Sequence, residues 1–349
     1  MITDKKQVIY LDYAAHTPPS PAALEAFARA ERDFGANPLS SHAAGLSARA
    51  ELERCRERIA RVIGVPALNI IFASSASEAN AMAIRGLIHA RRHIGRHVIT
   101  TCLEHPSVHA AFSELDEVEL ARVTPGGTVD LEHVRELLRS DTALVSVCHV
   151  DGELGAVQPI AELAALLKGT KTAFHSDGVQ SRTWLPTDAT VLSPHKFGGL
   201  TGIAAIITSE ELPPLYRTGT PSVGLAASFA AALENPGEPP TLRETLWERL
   251  SRYPEVRINS PRGGSPYILN LSVKGRKGDR FQQLLSERGV CVSVKSACSA
   301  RGTPSRAVMA VSDRANALCS WRISLGSQTT KAEIERFLAV FEELLHDER

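Results

Sequence analysis

The chain carries no surplus of either charge: 39 Lys and Arg face 39 Asp and Glu among 349 residues. That balance argues against a surface dominated by nucleic-acid binding, which needs clustered cations. No apolar run is long enough to span a bilayer, so no membrane partner is expected. The first residues, Met1-Ile2-Thr3-Asp4-Lys5-Lys6, are polar and the apolar run after them is brief, so the reading is no signal peptide and a cytoplasmic location. The six cysteines lack regular spacing, which excludes a disulfide framework as the organiser of the fold. Cys55, Cys102, Cys148 and Cys291 lie in apolar-periodic surroundings and are expected to be buried. There is no CxxC pair and no HExxH, so no metal site is expected. Internal repeats and low-complexity tracts are also missing.

What is present is an alternation of strand and helix patterns, the mark of a mostly parallel sheet with helices on both faces. Strands are expected at 70–73, 97–101, 143–148, 172–175, 190–192 and 203–208. Amphipathic helices are expected at 21–34 and 46–63, with further helices at 107–114, 131–138 and 160–167. Asn235-Pro236-Gly237-Glu238-Pro239-Pro240 reads as a linker. Beyond it the texture changes: strands at 267–273 and 290–294 alternate with helices at 278–288 and 331–346. The length suits two domains. We expect a large α/β domain over 15–235 and a smaller α+β domain built from 1–14 and 241–349. The main pocket belongs at the C-terminal ends of the parallel strands.

Two runs near the end of the large domain carry chemistry. Phe174-His175-Ser176-Asp177-Gly178-Val179-Gln180-Ser181 and Leu192-Ser193-Pro194-His195-Lys196-Phe197-Gly198-Gly199 each read as a strand end spilling into small and polar residues. An aspartate at one strand end and a lysine at the next are what a pyridoxal phosphate enzyme needs. The lysine amine condenses with the cofactor aldehyde, and the carboxylate pairs with the pyridinium nitrogen and keeps the ring an electron sink. Upstream, the strand 70–73 is followed by Ser74-Ser75-Ala76-Ser77-Glu78-Ala79-Asn80 and a helical pattern. A strand, a small-residue turn and a helix N-terminus make an anion site in which Ser77 adds a hydroxyl. Plain serine N-capping is the other reading of that segment.

With these runs in place, the chain resembles the class V aminotransferase group of pyridoxal phosphate enzymes, and within it the cysteine desulfurases. The matching stretches run almost end to end: residues 10–18, 37–42, 74–80, Glu104-His105, His149-Val150 with Glu153-Leu154-Gly155, Asp177 with Gln180, 193–196, 217–221, 296–299 and 321–326. The resemblance implies the fold type I architecture of that group. It makes Lys196 the residue bonded to pyridoxal 5'-phosphate, Asp177 the partner of the ring nitrogen, and Gln180 a donor to the ring hydroxyl. His105 would stack on the ring and move protons. Ala76, Ser77, Ser193 and His195 would hold the phosphate, joined by Thr220 from a partner subunit, because the family is a homodimer with shared sites. Arg322 would clamp the substrate carboxylate, a task suited to the planar guanidinium fork.

Cys298 decides the expected reaction class. It lies in a run of small and turn-forming residues, with Lys295 and Arg301 close by to favour the thiolate. In the resembling enzymes a cysteine here takes sulfur from L-cysteine as a persulfide, leaves L-alanine, and passes the sulfur to an acceptor protein, as in iron–sulfur cluster assembly. Other readings are a selenocysteine lyase, a cyst(e)ine C–S lyase, or a non-catalytic paralogue in a sulfur-transfer complex. Three departures from the family pattern stand out. Gly152 occupies the place of an asparagine that contacts cofactor and substrate. A glycine-rich stretch before Arg217 is missing. The segment between Asp177 and Lys196, and the helices between the domains, are shortened.

Overall fold

The computed structural model describes residues 8–113, 115–181, 183–209, 219–295 and 302–346. Its centre is a seven-stranded sheet in the order Ile70–Ala73, Ala204–Thr208, Ala189–Leu192, Ala173–Asp177, Thr142–Ser146, His97–Thr101, Val118–Ala121. Strand Ala204–Thr208 runs antiparallel to both neighbours, and the remaining contacts are parallel. The inner strands are wholly buried, which is why they read as continuous apolar runs.

Helices cover both faces. On one, Pro21–Asp33 and Ala43–Ile63 pack against Val223–Glu234, a helix apolar almost all round and buried along nearly its whole length. Elsewhere Ala76–Ala90 contributes Ala79, Ala83, Ile84 and Leu87 to a core shared with sheet residues Val98, Leu144 and Val191. The helix starts are locally encoded. Ser20 accepts from Ala23 N before a proline at the first helical turn, and Ser75 accepts from Glu78 N.

After the 235–240 segment the chain builds a three-stranded antiparallel sheet, Ser320–Ser324, Ile268–Val273, Val256–Ile258. Its core centres on Trp321, Phe281, Phe337 and Phe341. Ile9 and Leu11 belong to that same core, because strand Ile9–Tyr10 pairs in parallel with Val290–Cys291. The N-terminal segment therefore packs with the C-terminal third of the chain. No described helix is long and apolar enough to cross a membrane.

The observed elements correct the expected ones in a few places. The strand expected at 172–175 extends to Asp177, which makes that carboxylate a strand residue rather than a loop residue. Strand Val118–Ala121 and helix Val223–Glu234 had no sequence signal of their own. Cys55 and Cys148 are buried as expected, but Cys102 and Cys291 are only half-buried.

Candidate active site

A cavity of about 300 Å³ opens at the C-terminal ends of the parallel strands, at the low end of the roughly 300–1,000 Å³ usual for ligand sites. It gathers Ala76, Ser77, His105, Asp177, Gln180, His195, Lys196 and Arg322 from segments spread over most of the chain. A wider groove of about 770 Å³ lies near the opposite strand ends, lined by residues such as Arg91, Lys168 and Trp184, and contains none of the expected site residues.

At one wall the helix Ala76–Ala90 begins. Ser75 is the cap, and Ser74 donates through its backbone and hydroxyl to Glu78 Oε2, both at 2.6 Å. Capping thus falls to Ser75. The amides of Ala76 and Ser77 have no partner among the described residues, and both residues border the cavity. That is an anion cradle with the positive end of a 15-residue helix behind it.

At the base, Asp177 is 7% exposed. Its Oδ1 accepts from Val179 N at 3.0 Å and its Oδ2 from Asn80 Nδ2 at 2.8 Å. Gly178 lets the chain turn immediately after it: a Cβ there would stand 2.7 Å from Thr190 Cγ2 and 3.1 Å from Val191 O. Asn80 is a site residue that sequence reasoning left without a role. The available signal was its position one helical turn beyond Ser77, on the same face of the helix.

Lys196 ends the 3-10 turn Pro194–Lys196 and donates from Nζ to Ala14 O and Ala15 O, both at 2.8 Å. Gln180 Nε2 donates to Ala14 O at 3.0 Å. His195 Nδ1 meets Ser193 Oγ at 2.8 Å, and burial, followed by the charge of Lys196, lowers the His195 pKa to about 4. Ser193 is fully buried beside His195 and does not border the cavity. Thr220 is exposed, sits at 3.5 Å from Asn37 Nδ2, and does not line this cavity either.

His105 caps the helix Pro106–Ala111 through Nδ1, which accepts from Ser107 N at 3.2 Å and pairs with Ser107 Oγ at 2.8 Å. Burial lowers its pKa, which favours a neutral imidazole. Glu104 beside it is almost wholly buried. Its Oε1 accepts from Thr101 Oγ1 at 2.9 Å and Cys148 N at 3.0 Å, while Oε2 has no partner among the described residues. Burial raises the Glu104 pKa to about 8, so it is largely protonated at neutral pH.

Arg322, on strand Ser320–Ser324, is 3% exposed. Nη1 donates to Gly152 O at 2.6 Å and Nη2 to Asp12 Oδ1 at 2.9 Å. Asp151 borders the cavity, and its Oδ1 accepts from Glu153 N at 3.1 Å and from Leu154 N. Gly152 is open, since a Cβ would meet Gln180 Nε2 at an ordinary 3.4 Å. Cys298 and Arg217 lie outside the described residues. Among the described residues no His, Cys, Asp or Glu group is arranged to hold a metal ion.

The residues present fit pyridoxal phosphate. Free amides at a helix start suit the phosphate, a buried carboxylate suits the ring nitrogen, and a lysine amine lies along the same cavity.

The comparisons agree. The family model described as aminotransferase class-V matches residues 9–223 and 207–337. An IscS-like cysteine desulfurase of Mycobacterium tuberculosis is 34% identical over 95% of this chain and 94% of that protein. A cysteine desulfurase IscS of Dictyoglomus turgidum is 33% identical over 97% and 95%. Among solved structures, a NifS-like protein superposes with a TM-score of 0.89 at 28% identity, covering 97% of this chain and 99% of that one. A structure of SspA in complex with cysteine gives a TM-score of 0.81 at 29% identity, over 92% and 99%. The chain belongs to the aminotransferase class-V family of pyridoxal phosphate enzymes, among its cysteine desulfurases.

Proposed function

We propose that the chain converts L-cysteine to L-alanine and takes the sulfur as a persulfide on Cys298. The substrate C–S bond breaks, an S–S bond forms to the Cys298 sulfur, and the carbon skeleton leaves as alanine. The observation that carries this reading is the convergence of Lys196 Nζ, the Asp177–Asn80 pair, the free Ala76 and Ser77 amides and Arg322 on one cavity. Bound pyridoxal phosphate supplies an electron sink for charge that develops on the substrate carbons.

The chain's own groups do the rest. Lys196 presents its amine for covalent attachment and returns it when substrate arrives. Asp177, held by Asn80 and Val179 N, keeps the ring nitrogen protonated. His105 would lie against the ring and, as a neutral imidazole, would move protons. Ala76, Ser77, Ser193 and His195 would receive the phosphate, with Gln180 near the ring hydroxyl. Arg322 binds the substrate α-carboxylate with its buried guanidinium.

The same reading includes a homodimer in which the partner subunit's Thr220 completes the phosphate site. Support comes from the exposure of Thr220 away from its own chain's cavity. It also includes an acceptor protein for the persulfide, a cytoplasmic setting, a role in supplying sulfur for iron–sulfur clusters, and a division into domains at 15–235 and at 1–14 with 241–349. The last is supported by the packing of Ile9 and Leu11 into the C-terminal core. The test is to incubate cofactor-loaded protein with L-cysteine and quantify alanine, sulfide and protein-bound sulfur. Equimolar alanine and transferable sulfur is the expected result. Pyruvate with free sulfide and no protein-bound sulfur would move the assignment to a C–S lyase.

A further inference from the structure

Two arginines face the cavity, and their surroundings differ. Arg322 is buried, and both of its terminal nitrogens already donate, to Asp12 and to Gly152 O. Arg306, the first residue of helix Arg306–Val311, is exposed at the rim of the same cavity. Its one hydrogen bond among the described residues is from Nη2 to Glu104 O at 3.3 Å, and no described carboxylate lies within ion-pair reach of it. Its backbone is fixed in place. Ser305 caps the helix by accepting from Val308 N, its hydroxyl donates to Glu153 Oε2, and Ala307 and Val308 are buried beneath. Among the described residues, then, no carboxylate pairs with this guanidinium at the mouth of the cavity.

The wall beside Arg306 is soft and apolar. Cys102, Leu103, Cys148 and Ala307 line it. Of the acids on this part of the cavity, burial keeps Glu104 largely neutral, and Glu153 accepts from the Ser305 hydroxyl. A cation at this rim with no ion pair among the described residues attracts an anion. Because Arg306 touches the carbonyl of Glu104, the residue before His105, its charge lies on the His105 side of the cavity, whereas Lys196 is held by the carbonyls of Ala14 and Ala15.

We propose that Arg306 is a specificity-determining residue that reads the side-chain end of the substrate as an anion, while Arg322 holds the α-carboxylate. This rests on the desulfurase reading for the identity of the natural ligand and goes beyond it by naming the ligand class: L-amino acids with a negatively charged group on Cβ, which are a thiolate in L-cysteine, a sulfinate or a carboxylate. A guanidinium beside the substrate thiol favours its thiolate, as cationic neighbours do for protein thiols.

The test is equilibrium binding to the cofactor-loaded protein, followed by the absorbance change of the bound cofactor, with two unreactive probes. L-alanine lacks the side-chain anion and L-aspartate carries one. The expected result is that Arg306→Gln leaves the L-alanine dissociation constant within about twofold, weakens L-aspartate about tenfold or more, and moves the acid limb of kcat/KM for L-cysteine to higher pH. Arg306→Lys retains part of the preference. Arg322→Gln weakens both probes alike. Equal weakening of both probes by Arg306→Gln, or no change in either, overturns the proposal. If the wild type yields neither sulfide nor protein-bound sulfur from L-cysteine yet shows the Arg306-dependent preference for L-aspartate, the desulfurase reading falls and the role of Arg306 stands.

Discussion

Asn80 Nδ2 lies 2.8 Å from Asp177 Oδ2, a buried hydrogen bond that ties the helix carrying the anion cradle to the strand end carrying the base carboxylate. The bond makes the spacing between phosphate and ring-nitrogen ends of the site a property of two packed elements. Asp177→Asn is expected to retain the fold and bind cofactor, with turnover lowered about 100-fold or more, since each pKa unit lost at the ring nitrogen corresponds to about 1.4 kcal/mol. Asn80→Ala removes one hydrogen bond to a charged group and should weaken cofactor retention by roughly 10-fold or more. Wild-type turnover in Asp177→Asn would make that residue structural.

Lys196→Ala should abolish both turnover and the absorbance of covalently held cofactor, while leaving a folded protein. Lys196 Nζ donates to the carbonyls of Ala14 and Ala15 at the cavity wall, so its removal strands acceptors at a solvent-accessible cavity rather than in the core. Continued alanine production by the variant would remove Lys196 from the site.

Gly152 leaves room for a larger side chain. The Cβ of a substituted residue would stand 3.4 Å from Gln180 Nε2, ordinary contact. Gly152→Asn should tighten cofactor binding, by about tenfold if one hydrogen bond to a charged group is gained. The check is the dissociation constant from fluorescence titration of the apoprotein. A weaker complex would mean that the pocket has been rebuilt around glycine.

Glu104 gives a pH signature. Its folded pKa is raised by burial to about 8, above the ordinary 4.5, so the folded state binds a proton that the unfolded state has lost. Its contribution to stability is full below about 4.5 and disappears as pH rises through about 8. Buried histidines with lowered pKa values, such as His175 and His195, act with the opposite sign at acid pH. The difference between wild type and Glu104→Gln isolates the carboxyl. The variant is expected to gain in apoprotein melting temperature relative to wild type between pH 5 and 8. A pH-independent difference would show that Glu104 is not protonated in the fold.

Cys298→Ser should keep the cofactor and still bind L-cysteine but accumulate no persulfide, because a hydroxyl cannot take sulfur as a thiolate does. Mass spectrometry after incubation with L-cysteine without reductant reads the result as one added sulfur on the wild-type Cys298 peptide, absent in the variant. Cys319 is the alternative carrier. It ends helix Arg314–Cys319 and is half-buried. A sulfur adduct on the Cys319 peptide in both proteins would reassign the carrier.

Much of this architecture is legible in the sequence because its cues are local. Buried parallel strands such as Ile70–Ala73 and His97–Thr101 are short apolar runs bounded by turn residues, and they fall where the pattern places them. Serine caps and the proline at the start of Pro21–Asp33 mark helix starts by chemistry within one turn. The lysine, the aspartate and the helix N-terminus could be read as a cofactor site because each sits at the end of an element that the sequence itself announces. Val118–Ala121 is a short edge strand with one buried residue, and Val223–Glu234 is apolar on every side because other helices and the sheet enclose it, so neither shows a period. Tertiary packing alone decided that Asn80 reaches Asp177 from 97 positions away, and that Arg306 and Arg322 share one cavity with Lys196. Such pairings join segments distant in the chain. Their geometry follows from how sheet and helices stack, which no local pattern of residues records.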